Sequence, residues 1–201
     1  MGALVCSIQP GIVSGITATI TEFDTNGNIV RALSGIGPSP TGLDVDAAGN
    51  VYVAMNGANQ VWRFNPTASS FAADTNFGTN GSGYIGGSGT NAGQFNAPFG
   101  VAISADGTVI SLTDSGNNRV QQFDTRGNFH NIFGSQGSGL GQFNTPTGIT
   151  YDNANDWYVL DSGNNRFAEG TFVITSDTGG TLGTGFSQFT DPLHKRRGLQ
   201  R

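Results

Sequence analysis

The sequence repeats itself, and the repeat limits the fold more than any other feature. Asp114-Ser115-Gly116-Asn117-Asn118-Arg119 recurs letter for letter as Asp161-Ser162-Gly163-Asn164-Asn165-Arg166, with a weaker version at Asn56-Gly57-Ala58-Asn59-Gln60. Upstream, Gly93-Gln94-Phe95-Asn96-Ala97-Pro98 matches Gly141-Gln142-Phe143-Asn144-Thr145-Pro146, and Ser187-Gln188-Phe189-Thr190-Asp191-Pro192 is a looser copy. The prolines Pro40, Pro98, Pro146 and Pro192 stand 58, 48 and 46 residues apart. A unit of roughly 40–50 residues is the length of one propeller blade. The longer first interval holds an insertion over residues 66–91, rich in Ala, Ser, Gly and Asn.

Each unit reads as four short strands. In the clearest one these are Gly100 to Ser104, Thr108 to Thr113, Arg119 to Asp124 and Asn128 to Phe133, each alternating with period two. Ala105-Asp106-Gly107 and Thr125-Arg126-Gly127-Asn128 carry glycine where hairpins need positive φ. No stretch has convincing helical periodicity. The 32 glycines therefore read as turn positions, not as a disordered linker, because 14 Phe, 4 Tyr and 2 Trp recur among them and disordered segments are poor in aromatics. The expected fold class is all-β, a propeller of four-stranded antiparallel blades.

The order Pro-x-Gly-apolar, Asp-x-x-Gly, Asp-Ser-Gly-Asn-Asn-Arg-Val and Phe-Asp-x-x-Gly resembles the NHL repeat over roughly residues 16–192, most specifically from Gly93 to Arg166. The resemblance implies blades around a central axis. On this reading residues 1–201 are one partial propeller: outer strands of a blade at 16–39, blades at 40–97, 98–145 and 146–191, and an aberrant start of the next at 192–201. The pattern breaks after Arg166, where Ala168-Glu169-Gly170-Thr171 replaces the expected Phe-Asp-x-x-Gly and the apolar Phe172-Val173-Ile174 stands where a turn is due, and again at His194-Lys195-Arg196-Arg197. An open arc would expose strand edges, so the expectation is a fragment, a truncated reading frame, or an arc completed by a second copy.

The Asp-Ser-Gly-Asn-Asn-Arg loops are the candidate binding site. They would set Asp114, Asn117, Asn118 and Arg119 beside Asp161, Asn164, Asn165 and Arg166 on one face. Such a ring could hold a peptide, a sugar or a carboxylate, with arginine as a forked donor. The competing structural reading is that Asp and Asn cap the turn and Arg ties neighbouring blades, and repetition in every blade favours it.

Other chemistry is thin. The single cysteine, Cys6, excludes an intrachain disulfide and a Cys-based zinc site. The two histidines, His130 and His194, have no ligand-spaced partner. This weighs against the lyases and lactonases that the resemblance brings in, which rely on His and metal centres, unless missing blades hold the ligands. No Gly-x-Ser-x-Gly elbow is present. Asp24-Thr25-Asn26-Gly27-Asn28 starts like a calcium loop, but Ile29 and Gly35 occupy the sixth and twelfth positions, so a hairpin turn is expected. Asn80-Gly81-Ser82 fits the glycosylation triplet.

The net charge is −5 and the one lysine, Lys195, lies in the terminal cluster with Arg196 and Arg197. That is the wrong balance for the RNA-binding role that the resemblance also allows. No run of apolar residues reaches the ~18–20 needed to span a membrane, and Met1 to Ile16 lacks the basic start of a signal peptide. The Thr, Ser, Asn and Gly bias points to an extracellular or cell-surface bacterial setting. The expected function is a non-catalytic binding module without cofactor, recognising a protein, peptide or glycan through loops on one face.

Overall fold

In a computed structural model, the structure describes residues 5–9 and 18–171. These residues form fifteen strands in four antiparallel sheets, with no α-helix among them. Blade I holds β1 (Val5–Gln9), β2 (Thr19–Phe23) and β3 (Ile29–Ser34) in that order. Blade II holds β4 (Pro40–Val45), β5 (Val51–Met55), β6 (Gln60–Pro66), β7 (Phe71–Ala73) and β8 (Tyr84–Gly86). Blade III is β9 (Pro98–Ile103), β10 (Val109–Asp114), β11 (Arg119–Asp124) and β12 (Phe129–Phe133). Blade IV is β13 (Pro146–Tyr151), β14 (Asp156–Asp161) and β15 (Arg166–Thr171). The four strands read from the sequence of blade III lie within two residues of those observed. β1 is an addition: its pairing of Cys6 with Glu22 and Ile8 with Ile20 puts a third strand beside the two outer strands expected from Ile16 onward. Phe172-Val173-Ile174 and everything from Pro192 lie outside the described residues.

The middle strands of blades II and III are buried on both faces because each of these blades lies between two others. Every residue of β5 and β10 is buried. Tyr52, Ala54 and Val61 of blade II meet Ile110, Leu112 and Phe123 of blade III in one cluster. Val120 of blade III meets Trp157, Val159 and Ala168 of blade IV in another. Large and small residues trade places between blades. Blade III sets Phe123 across from Ile110, whereas blade IV sets Gly170 across from Trp157, and the Trp157 ring fills the space a Cβ on Gly170 would take.

The insertion in blade II splits its outer strand. β7 pairs with the far end of β6 (Phe64 with Ala73), and β8 with the near end (Val61 with Ile85). The break falls at Arg63, whose backbone carbonyl accepts from the Asp74 N–H at 2.9 Å and whose N–H donates to the Gly83 carbonyl at 3.1 Å. The excursion between these points is clipped to blade III. Arg63 Nε donates to Asp74 at 2.6 Å, its guanidinium also reaches the Thr125 carbonyl, and it lies 5.1 Å from the ring centre of the buried Phe77. The Gly78 N–H donates to the Arg126 carbonyl at 2.9 Å.

First strands of neighbouring blades run in near contact. A Cβ on Gly42 would stand 2.6 Å from the Phe99 carbonyl oxygen, and one on Gly100 would stand 2.5 Å from that of Thr147. The Gly of Pro-x-Gly is thus a close-approach glycine. Thr41 and Thr113 hydroxyls bond to those same carbonyls at 2.8 and 2.6 Å. Gly148 of blade IV has no such neighbour; Leu160 Cβ, at 3.5 Å, is an ordinary contact. Overpacking of this kind costs ~1–3 kcal/mol. Gly42→Ala and Gly100→Ala should each lower stability by about that much in urea melts, while Gly148→Ala should change it by less than ~0.5 kcal/mol.

Hairpin turns share one capping device. Asp24 accepts from the Asn26 and Asn28 N–H groups and from the Asn28 amide, and Asp124 does the same with Arg126 and Asn128. The Asp24 loop is therefore a hairpin turn. The Asn28 side-chain and backbone bonds hold the Asp24 carboxyl below the usual aspartate value. A carboxyl lowered on folding contributes stability above its unfolded pKa and loses it as pH falls through the folded one. Asp24→Asn should therefore flatten the acid limb of a stability–pH curve below the ordinary aspartate range and leave its neutral plateau shape unchanged.

Candidate functional site

The repeated hexapeptide closes the connection between the second and third strands of a blade. In blade III a short 3-10 turn over Ser115–Asn117 is followed by Asn118 at φ 54°, and in blade IV one over Ser162–Asn164 by Asn165 at φ 51°. Asparagine tolerates this left-handed conformation better than most residues. Gly116 and Gly163 are needed for a different reason: their N–H groups donate to the Asn96 and Asn144 carbonyls at 2.8 and 2.7 Å, with no room for a Cβ between.

The Asp114 carboxylate, with no exposure, gathers four donors. Oδ2 accepts from Arg119 Nε at 2.7 Å, Asn117 at 2.8 Å and Gln121 at 3.0 Å, and Oδ1 from the Asn96 N–H at 2.7 Å. The guanidinium continues into the linker that arrives from blade II, donating to the carbonyls of Thr90, Asn91 and Gln94 at 2.6–2.9 Å. Blade IV repeats this. Asp161 accepts from Arg166, Asn164 and the Asn144 N–H at 2.7–2.8 Å, and Arg166 reaches the Ser138, Gly139 and Gln142 carbonyls. Asn118 bonds forward, its Oδ1 accepting from the Thr145 N–H at 2.8 Å, as Asn59 does from Ala97 at 2.7 Å.

The residues of each hexapeptide lie within their own blade's connection between second and third strands. The two sets are joined through linkers and not through a shared cleft. The donors of Asn117, Arg119, Asn164 and Arg166 are directed at the protein's own carbonyls and at the accepting carboxylates of Asp114 and Asp161. Sequence reasoning passed over the residues that complete these ties. Ser39, Ala97 and Thr145, each directly before a blade-opening proline, have φ of 49–50°. The residue before proline ordinarily prefers extended backbone, so no local signal marks this.

The opposite ends of the same strands carry a second feature. The turns between first and second strands of blades II, III and IV surround a pocket of about 340 Å³, lined among others by Asp44, Asp46, Asp106 and Asp152, with Ser104 and Tyr151 at its wall. Asp44 is half-buried and accepts from the Ile103 N–H of blade III at 2.8 Å. Burial pushes its carboxyl above the usual value, against the pull of its bonds to the Ile103 and Val45 N–H groups. The Ser104 hydroxyl and then Thr108 hold Asp106 below it. Among the described residues, no three His, Cys, Asp or Glu side chains stand close enough to share a metal ion. The four aspartates ring an opening and do not converge on one point. The signal for Asp44 was in the sequence, as a carboxylate between the apolar Leu43 and Val45 of a first strand.

Antiparallel blades of three to five strands, first strands side by side and linkers crossing from blade to blade define a β-propeller. A family model for the NHL repeat matches residues 38–64, from just before β4 through most of β6. Solved structures of the same fold include the nidogen/laminin complex, at 16% identity and TM-score 0.56, covering 83% of this chain and 56% of the other. An auxiliary nutrient binding protein from Bacteroides thetaiotaomicron matches at 15% identity and TM-score 0.56, covering 81% and 44%. The dihydro-heme d1 dehydrogenase NirN in complex with DHE matches at 12% and 0.54, covering 79% and 31%. At these identities the likeness is one of fold, and the chain spans about half or less of each matched chain. No curated protein matches the sequence. The chain has a β-propeller fold in which residues 38–64 match the NHL repeat.

Removing one partner of a buried ion pair leaves the other charge uncompensated and costs ~3–5 kcal/mol. Asp114→Ala should lose that much stability, since the Arg119 side chain is only 10% exposed. Asp161→Ala should lose distinctly less, because Arg166, at 33% exposure, turns to water. Chemical denaturation of the two variants in parallel checks the order.

Proposed function

We propose that the chain is a non-catalytic protein-interaction module whose acidic axial pocket receives a basic side chain of its partner. The observation that carries this reading is the ring of Asp44, Asp46, Asp106 and Asp152, brought from three blades around one opening. Carboxylates facing a pocket with low-dielectric walls focus a negative potential and favour a cation. The net charge of −5 supports the same sign of partner. The loops at the other end, with Asp114, Asn117, Asn118, Arg119, Asp161, Asn164, Asn165 and Arg166, act in this reading as the frame that fixes blade spacing. The donors of Asn117, Arg119, Asn164 and Arg166 are already engaged, and a ligand on them would have to displace internal bonds. Nucleic acid fits neither end, because phosphate contacts need basic groups.

The test is a calorimetric titration with a short lysine-rich peptide, and a neutral glycine–serine peptide of equal length as control. Binding of the lysine peptide alone is expected, weakening as salt rises, and at least tenfold in the Asp44→Asn/Asp106→Asn double variant. Affinity should also fall as pH drops through the carboxylate range. Asp44 takes its proton at a higher pH than an ordinary aspartate and Asp106 at a lower one. Equal binding of both peptides, or none, would remove this pocket as the recognition site.

A further inference from the structure

We propose that the free face of blade IV is a docking surface for the chain's own residues 187–192, seated as a third copy of the linker that joins the other blades. The two described linkers set the pattern. Phe95 and Phe143 are fully buried between successive blades, Phe143 in the cluster of Val120, Trp157, Val159 and Ala168. The residue before each following proline is gripped by the preceding blade's loop, Ala97 by Asn59 and Thr145 by Asn118.

Blade IV presents the same receptor unfilled by any described residue. Register places Phe167 of β15 where blades II and III have Val61 and Val120, and Leu160 of β14 where they have Ala54 and Thr113. Those four residues have no exposure, whereas Phe167 is 58% and Leu160 39% exposed. Asn165 holds the left-handed conformation of Asn59 and Asn118, yet its Oδ1 accepts no hydrogen bond among the described residues. Gly148 keeps the open side that Gly42 and Gly100 have lost.

Chain length selects the occupant. Asp124 and Thr171 end the third strand of their blades in the same register, opposite Val109 and Asp156. From Asp124 to the linker Phe143 the chain runs 19 residues; from Thr171 to Phe189 it runs 18. The segment between has room for an outer strand and a return, so Phe189 arrives at the Phe167 and Leu160 surface and the Asp191 N–H at Asn165.

The experiment replaces Phe189 with photoreactive benzoyl-phenylalanine in the full chain, irradiates dilute protein and maps the cross-link by peptide mass. The expected product is intramolecular, on the β14 or β15 peptides holding Leu160 and Phe167. Phe167→Asp should reduce its yield severalfold, and Phe167→Leu should preserve it. Cross-links on other blades, between two copies, or unchanged by Phe167→Asp would overturn the assignment. Circular dichroism of both Phe167 variants separates a lost contact from a lost fold: if Phe167→Asp unfolds the chain, Leu160→Asp and Asn165→Ala take its place with the same expected loss.

Discussion

The structure depends on how one buried carboxylate is satisfied in each of blades III and IV. Asp114 is fully enclosed at the end of a middle strand, where an unpaired charge would be prohibitively costly. Its two oxygens are met by an arginine from the next strand, an amide from the intervening loop and a backbone N–H from the linker before the blade. One group therefore fixes three segments at once. The arginine passes the constraint on, since its remaining donors bind carbonyls of the linker from the preceding blade. Blade spacing follows, and with it the close passage of first strands at Gly42 and Gly100.

Blade II reaches the same geometry by other means. Register puts Met55 where the buried aspartate would be and Gln60 where the arginine would be. Gln60 bonds to Trp62 at 2.9 Å instead. What remains of the loop is Asn59, still left-handed and still holding Ala97. The missing polar tie is compensated at the other end of β6, where Arg63, Asp74 and Phe77 clip the excursion to blade III. The insertion that lengthens this repeat is thus a second inter-blade contact.

Much of this was legible before any coordinates. Proline spacing, the hexapeptide and the hairpin glycines marked blades, and the strands of blade III fall where alternation places them. The Asp24 turn was readable because its glycine and asparagines suit a hairpin and its later positions do not suit calcium. β1 was not legible, since Val5–Gln9 has no repeat partner and is recruited by pairing with β2. Nor was the role of the hexapeptide's polar groups. The residues Asp, Asn and Arg serve a ligand or a fold equally well, and only burial separates the two.

The sequence by itself determined the architecture, because period-two alternation, positive-φ glycines and a fixed repeat length are local properties that one stretch of chain expresses alone. It also determined the sign of the protein's field. The tertiary structure alone decided where polar chemistry stays available. Asp114 and Arg119 face each other across five residues and disappear from solvent, whereas Asp44, Asp106 and Asp152, distant in the chain, meet around one opening. Distances across an axis between blades depend on how sheets stack, and stacking is a sum over contacts between residues some fifty positions apart, which no single segment encodes.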